Sequence, residues 1–217
     1  MDEILDRVES LAKRKDELGL KKRIEHNMEK SLRMPAASFG DDNSKVIYGR
    51  ESDKKEIIDL LLSNDANGTK LSVISLLAND GMGKTTLARL IYQDHRVTEH
   101  FDLKAWAYVS DLSDTFMVTK AVFESFTLQS YDLKEQDMSQ LEVNLCERLE
   151  GKRFLLSLNI ASPFIVGGWK ALQPHFIKAA NGSCVIVTTR NDISASSIKP
   201  VCVYHIKPLS DEDGRFL

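Results

Sequence analysis

The chain has 217 residues, 42% of them apolar, and a formal net charge of −3. Such a length and composition fit one α/β domain with a helical appendage and a sizeable core, and exclude a disordered chain. The charge balance leaves no footprint for nucleic acid or an anionic membrane surface. No apolar run approaches the ~20 residues of a membrane span, and no leader precedes a cleavage site, so a cytoplasmic protein is expected.

Residues 1–33 are charged and helical in period. Ile4, Val8, Leu11 and Leu18 fall on one face, acidic Asp2 and Glu3 open the segment, and Gly19 can cap it. This amphipathic face needs a partner. It either packs on the body of the same domain or forms the end of a coiled-coil or helical-bundle domain. Residues 34–45, with Pro35, Gly40, Asp41, Asp42 and Asn43, have linker composition. A new pattern starts at Val46-Ile47-Tyr48-Gly49-Arg50-Glu51. A helix over Ser52–Ser63 follows, with Ser52 as its N-cap and Ile57, Ile58, Leu61 and Leu62 as its buried face.

From Leu71 strands and helices alternate. The apolar runs predict strands over Leu71–Leu77, Leu103–Val109, Arg153–Leu158, Ser183–Thr189 and Val201–Ile206. The 3.6-residue patterns predict helices over Lys84–Asp94, Thr115–Leu128, Met138–Glu150 and Trp169–Ala179, with another beginning at Leu209. This alternation implies βαβ units: a mostly parallel five-stranded sheet flanked by helices, with an N-terminal helical segment.

The first strand runs through Ala78-Asn79-Asp80-Gly81-Met82-Gly83 into Lys84-Thr85-Thr86 and a helix. Strand, Gly-containing loop, Gly-Lys-Thr and helix is the context a phosphate-binding P-loop requires, so the fold class is P-loop NTPase-like. Backbone N–H groups at the loop and the helix start converge on one spot, where the helix dipole adds partial positive charge. Lys84 can reach the β- and γ-phosphates, and the Thr85 hydroxyl can ligate Mg²⁺. Ala78 stands where the strict pattern wants Gly, which is tolerable at negative φ. Asp80 sets a carboxylate inside the loop; it either points to solvent or weakens binding.

A P-loop NTPase has a later apolar strand ending in an acidic residue that holds Mg²⁺. The third strand here ends in Asn159-Ile160. Asn159 can make only a weak, water-mediated contact to the metal through its carbonyl, and Ile160 cannot activate water. Arg190 follows the fourth strand on the ligand side, where a guanidinium can contact a γ-phosphate. The three cysteines, Cys146, Cys184 and Cys202, form no Cys-x-x-Cys pair and are read as reduced, mostly buried thiols. The five histidines are scattered, and no Cys/His or Ser/His/Asp arrangement is readable from spacing.

Together these segments resemble the NB-ARC domain of plant coiled-coil disease-resistance receptors of the nucleotide-binding, leucine-rich-repeat type. Residues 1–24 are similar to the end of that family's coiled-coil domain. Ile47-Tyr48-Gly49-Arg50-Glu51 is similar to the segment lying near adenine. Gly81-Met82-Gly83-Lys84-Thr85-Thr86 resembles the P-loop, and Phe101 to Ser110 a strand diagnostic of the family. Lys152–Leu158 is similar to the kinase-2 strand, Gly182–Arg190 to the strand ending in a sensor arginine, and Tyr204–Asp213 to the lead into the helical subdomain. The chain departs from the family at Ala78-Asn79-Asp80, where Gly-Met-Gly is usual, and at Asn159-Ile160, where an Asp pair is usual. A relative truncated before the helical and winged-helix subdomains is expected, with 46–217 as its nucleotide-binding domain.

The resemblance implies a switch that holds ADP or ATP with Mg²⁺ and acts in plant defence. Tyr48, Gly49, Arg50, Gly81, Met82, Gly83, Lys84, Thr85, Thr86 and Arg190 would contact the nucleotide, with Thr85 and, through water, Asn159 on the metal side. Without the Asp pair little or no hydrolysis is expected, and no residue is assigned a catalytic role. A slow ATPase, or a degenerate scaffold whose N-terminal helices pair with other immune receptors or signalling partners, are the alternatives.

Overall fold

The computed structural model describes residues 49–63, 70–109, 114–132, 137–160, 166–190, 192, 195 and 198–209. The expected N-terminal helices, the linker, Tyr48 and the helix beyond Leu209 lie outside the described residues.

A helix α1 (Glu51–Ser63) leads to strand β1 (Leu71–Leu77), then to helices α2 (Lys84–Tyr92) and α3 (His95–His100). Strand β2 (Leu103–Val109) and helices α4 (Thr115–Thr127) and α5 (Met138–Leu149) follow. Strand β3 (Phe154–Ile160), helix α6 (Val166–Leu172), a 3₁₀ turn (Gln173–Phe176), and strands β4 (Ser183–Thr189) and β5 (Cys202–His205) complete the order. The five strands form one sheet in the order β2-β3-β4-β1-β5, and every pairing is parallel.

The sheet is covered on both faces, as parallel sheets require. Strands β3 and β4 are buried along their whole length, and β1 is buried from Ser72 onward. Side chains alternate between two cores with the period of two that strand geometry imposes. Val73, Leu156 and Val185 join Val122, Phe126, Leu141 and Phe176 on one face. Ile74, Leu155 and Ile186 join Ile57, Leu61, Leu87 and Ile91 on the other. Helices α1, α2 and α3 thus sit on the face opposite α4, α5 and α6.

Several boundaries differ from those the periodicity suggests. Helix α1 begins one residue early, because the Arg50 carbonyl accepts the Lys54 N–H at 2.9 Å; Ser52 lies within the first turn and is not the cap. The run from Lys84 to Asp94 ends at Tyr92, and a separate α3 starts behind Asp94, whose side chain accepts the Arg96 N–H at 3.1 Å. An Asp N-cap is a strong enough local signal to restart a helix at once. Helix α4 stops at Thr127, since Leu128 turns left-handed (φ 57°). The segment expected as one helix over Trp169–Ala179 is split into α6, beginning at Val166, and a 3₁₀ turn carrying Pro174 near its start. Strand β3 runs on through Asn159 and Ile160, which therefore belong to the sheet and not to the loop after it.

The register makes the carboxyl end of the sheet a level rim. Leu77 lies beside Thr189, Asn159 beside Thr188, and Val109 beside Ile160. Strand β1 sits inside the sheet between β4 and β5 while its chain continues to β2 at the far edge. Loops therefore leave β1 and its neighbours in diverging directions, opening a crevice at the strand ends, where α/β sheets bind ligands.

Candidate nucleotide-binding cleft

The crevice is a cleft of about 470 Å³ lined by the loop after β1, the start of α2 and the ends of β2, β3 and β4. Gly81, Gly83, Lys84, Thr85 and Thr86 supply one wall; Tyr108, Asn159, Ile160, Thr188 and Arg190 supply the other, with Asp80 at the mouth.

The first wall is shaped by backbone conformation. Gly81 and Gly83 have φ of 80° and 82°, and a Cβ at either would meet nothing within 4 Å. Left-handed backbone, not crowding, is what demands glycine there. Ala78 is not among the described residues with positive φ, so its methyl is accommodated without strain. Gly83 precedes α2, and its carbonyl accepts the Leu87 N–H at 2.8 Å, the first bond of the helix. The N–H groups of Lys84, Thr85 and Thr86 lie ahead of that bond, so the helix gives them no acceptor. They are free to bind an anion.

Lys84 curls under the loop. Its Nζ donates to the carbonyls of Ala78 at 2.9 Å and Asn79 at 2.8 Å and stands 3.7 Å from Asp80 Oδ1. Two of its three N–H bonds are engaged, leaving one for a ligand. Arg190 Nη1 donates to Asp80 Oδ2 at 2.7 Å. Arg190, by hydrogen bond and charge, holds the Asp80 carboxyl below its ordinary range, and Lys84 adds to this. Both partners are largely exposed, so the pair contributes little to folding.

Asn159 is buried beside Thr188, whose hydroxyl donates to Asn159 Oδ1 at 2.9 Å. The acceptor expected to face a metal through water is thus engaged by a neighbouring strand, while Nδ2 has no partner among the described residues. Asp80, the one acidic residue among the described residues of the lining, is held by Arg190. Among the described residues no group of three or more His, Cys, Asp or Glu can hold a metal ion. The donor set fits a phosphate chain, through loop N–H groups and Lys84. It does not fit a protein-held Mg²⁺; an ion here would depend on nucleotide oxygens, with the Thr85 hydroxyl as its protein contact.

The remaining expected site residues are positioned differently. Arg50 is buried and faces the back of the loop: its guanidinium donates to Asp53 at 2.9 Å and to the carbonyls of Lys207 at 2.8 Å and Met82 at 3.1 Å. Arg50, Gly49 and Met82 are not among the lining residues. Arg50 braces the loop and ties it to α1 and to the segment after β5. Tyr204 supports the same corner, its hydroxyl donating to Asp53 at 2.6 Å. Tyr108 and Thr188 line the cleft without having been foreseen; their place at the ends of apolar strands on the P-loop side was the available signal. Away from the cleft, Cys146 Sγ lies 3.8 Å from His175 Nδ1, a neighbourhood that spacing did not reveal. Burial raises the Cys146 thiol above its ordinary value.

A family model of the NB-ARC domain matches residues 50–216. The chain belongs to the NB-ARC family. It is 36% identical over 215 residues to RPP13-like protein 1 of Arabidopsis thaliana, covering 98% of this chain and 20% of that one. It is 32% identical over 213 residues to the disease resistance protein RGA2 of Solanum bulbocastanum, covering 98% and 21%. The NB-ARC chain thus spans about a fifth of the length of these curated relatives. Among solved structures it is similar to Cdc6p of Pyrobaculum aerophilum, with TM-score 0.53, 17% identity and coverage of 85% of this chain and 50% of that one. It is also similar to the ORC1 protein of Aeropyrum pernix, solved in complex with DNA, with TM-score 0.52, 17% identity and coverage of 77% and 47%. At that identity the likeness concerns the fold alone, a P-loop NTPase-like α/β sheet. Among the described residues no helix is long and apolar enough to cross a membrane.

Proposed function

We propose that this NB-ARC domain binds an adenine nucleotide, ADP or ATP, in the cleft after β1, hydrolyses it slowly or not at all, and serves as the switch of a plant immune receptor. The observation that carries the reading is the unequal wall chemistry. A glycine-shaped loop, free N–H groups at the start of α2 and Lys84 face a wall whose metal-side position is Asn159 and whose next residue is Ile160. Phosphate binding by N–H groups and a lysine needs no carboxylate. Hydrolysis needs a group that orients or deprotonates water, typically ~10²–10⁴-fold in rate, and Ile160 cannot be one.

A switch requires the nucleotide to favour one domain arrangement over another through differential contacts. The Arg50 brace supports this reading, because one side chain joins the loop carbonyl of Met82 to the Lys207 carbonyl beyond β5. A change at the loop is therefore felt where the chain leaves the sheet. Family membership supports adenine as the base and a cytoplasmic location, with Tyr48 on the adenine side, the Arg50 segment supporting the loop from behind, and Mg²⁺ arriving on the nucleotide.

Calorimetry with ADP and Mg²⁺ tests the reading. Binding that weakens strongly in Lys84→Ala is expected; equal affinity of the two proteins removes the P-loop assignment. One observation favours a second reading, a non-binding scaffold that pairs with other receptors or signalling partners: Lys84 and Arg190 already have partners within the protein. No heat with either ADP or ATP is the result that reading requires.

A further inference from the structure

Asp80 is the feature that the nucleotide-binding reading leaves unexplained. It projects from the loop into the mouth of the cleft, its side chain 71% exposed, so the fold does not need it there. Its two oxygens face the two cations that a phosphate chain would use. Oδ2 accepts from Arg190 at 2.7 Å, and Oδ1 stands 3.7 Å from Lys84 Nζ. The topology brings the carboxylate and the arginine to the same place. Strands β1 and β4 are neighbours ending level at Leu77 and Thr189, and the Ala78 N–H reaches the Thr189 carbonyl at 3.4 Å. Asp80 and Arg190 follow within three residues of those paired ends.

We propose that Asp80 is a built-in counter-anion standing in for a terminal phosphate, so that the cleft discriminates against nucleoside triphosphates and in favour of diphosphates. The inference rests on the reading of the cleft as a nucleotide site. A diphosphate needs only the N–H groups at the start of α2 and the remaining N–H bond of Lys84. A third phosphate adds one negative charge near the loop mouth. It meets the Asp80 carboxylate there, and to reach Arg190 it must displace that carboxylate from a 2.7 Å charge-assisted hydrogen bond. Arg190 is thereby shielded from a γ-phosphate instead of sensing it. Because the pair is exposed, the discrimination is modest and weakens as salt screens it.

The test is calorimetric titration of the full chain with ADP and with ATP, each with Mg²⁺, for the unaltered protein and Asp80→Asn, Asp80→Glu and Asp80→Asn/Arg190→Gln. Asp80→Asn should raise the ATP-to-ADP affinity ratio about three- to tenfold, the scale of one unit charge at a few ångströms in a wet site. Asp80→Glu keeps the charge and should keep the low ratio. Adding Arg190→Gln to Asp80→Asn should erase the gain, because the freed guanidinium is what the γ-phosphate then meets. The gain should shrink between low and 0.5 M salt. An unchanged ratio in Asp80→Asn, with ADP still bound by both proteins, overturns the counter-anion and leaves the nucleotide site standing. Failure of ADP to bind any of the four proteins overturns both.

Discussion

At the end of β1 the cleft has two left-handed glycines, a lysine and two threonines; two strands away, at the end of β3, it has an amide and an isoleucine. Both regions are built on one parallel sheet and share a rim of equal height. They differ in what carries their chemistry. The loop after β1 works through backbone N–H groups, which any sequence able to adopt its conformation provides. The β3 end works through side chains alone, so two residues decide whether it can hold metal and activate water. On the proposed function, binding and turnover are therefore separable in this domain.

The sharpest way to break that comparison is Lys84→Ala. It removes the one ammonium in the loop and should weaken ADP binding by about 30- to 100-fold, the range of charged hydrogen bonds, read by calorimetry. Rebuilding the other region is the counterpart. Asn159→Asp/Ile160→Asp should raise ATP turnover by about 100-fold over a near-zero baseline, followed by phosphate release. Ile160 is buried, so an Asp there also costs on the order of 1–3 kcal/mol of stability, visible as a lower Tm. Equal turnover in both proteins would show that the third strand does not supply the metal-side position.

Two smaller effects probe the support beneath the loop. Arg50→Ala leaves the carbonyls of Met82 and Lys207 and the Asp53 carboxylate without their shared donor. It should cost about 2–3 kcal/mol in chemical denaturation and weaken nucleotide binding without emptying the cleft. Asp94 joins α1, α2 and α3 through Lys54 at 2.9 Å and Arg96 at 3.2 Å. Burial raises its carboxyl, but the bonds from Lys54 and Arg96 outweigh this and bring it down to about 2. A depressed carboxyl contributes stability that is present above its ordinary value near 4 and is lost as pH falls through about 2. Asp94→Asn should therefore remove about 1–2 kcal/mol at neutral pH, allowing for screening, and flatten the stability profile between pH 4 and 2.

The amino-acid sequence alone determined the strands of the sheet, because Leu71–Leu77, Leu103–Val109 and Ser183–Thr189 are apolar runs flanked by turn residues, and their observed bounds agree with the reading. It also determined the loop, since glycines before Lys84 in that context leave the backbone few choices. Helix ends were legible only in part: the Asp94 cap that separates α2 from α3 acts through one hydrogen bond, which periodicity does not register. Tertiary structure decided everything that depends on which strands become neighbours. Asp80 and Arg190 are 110 positions apart, and Thr188 and Asn159 are 29 apart. Only the pairing of β4 with β1 and with β3 turns a loop carboxylate into a partner for the arginine, and the Asn159 amide into a partner for a threonine. Side-chain chemistry was readable residue by residue; whether a group is free or already engaged is set by the sheet order, which no local pattern encodes.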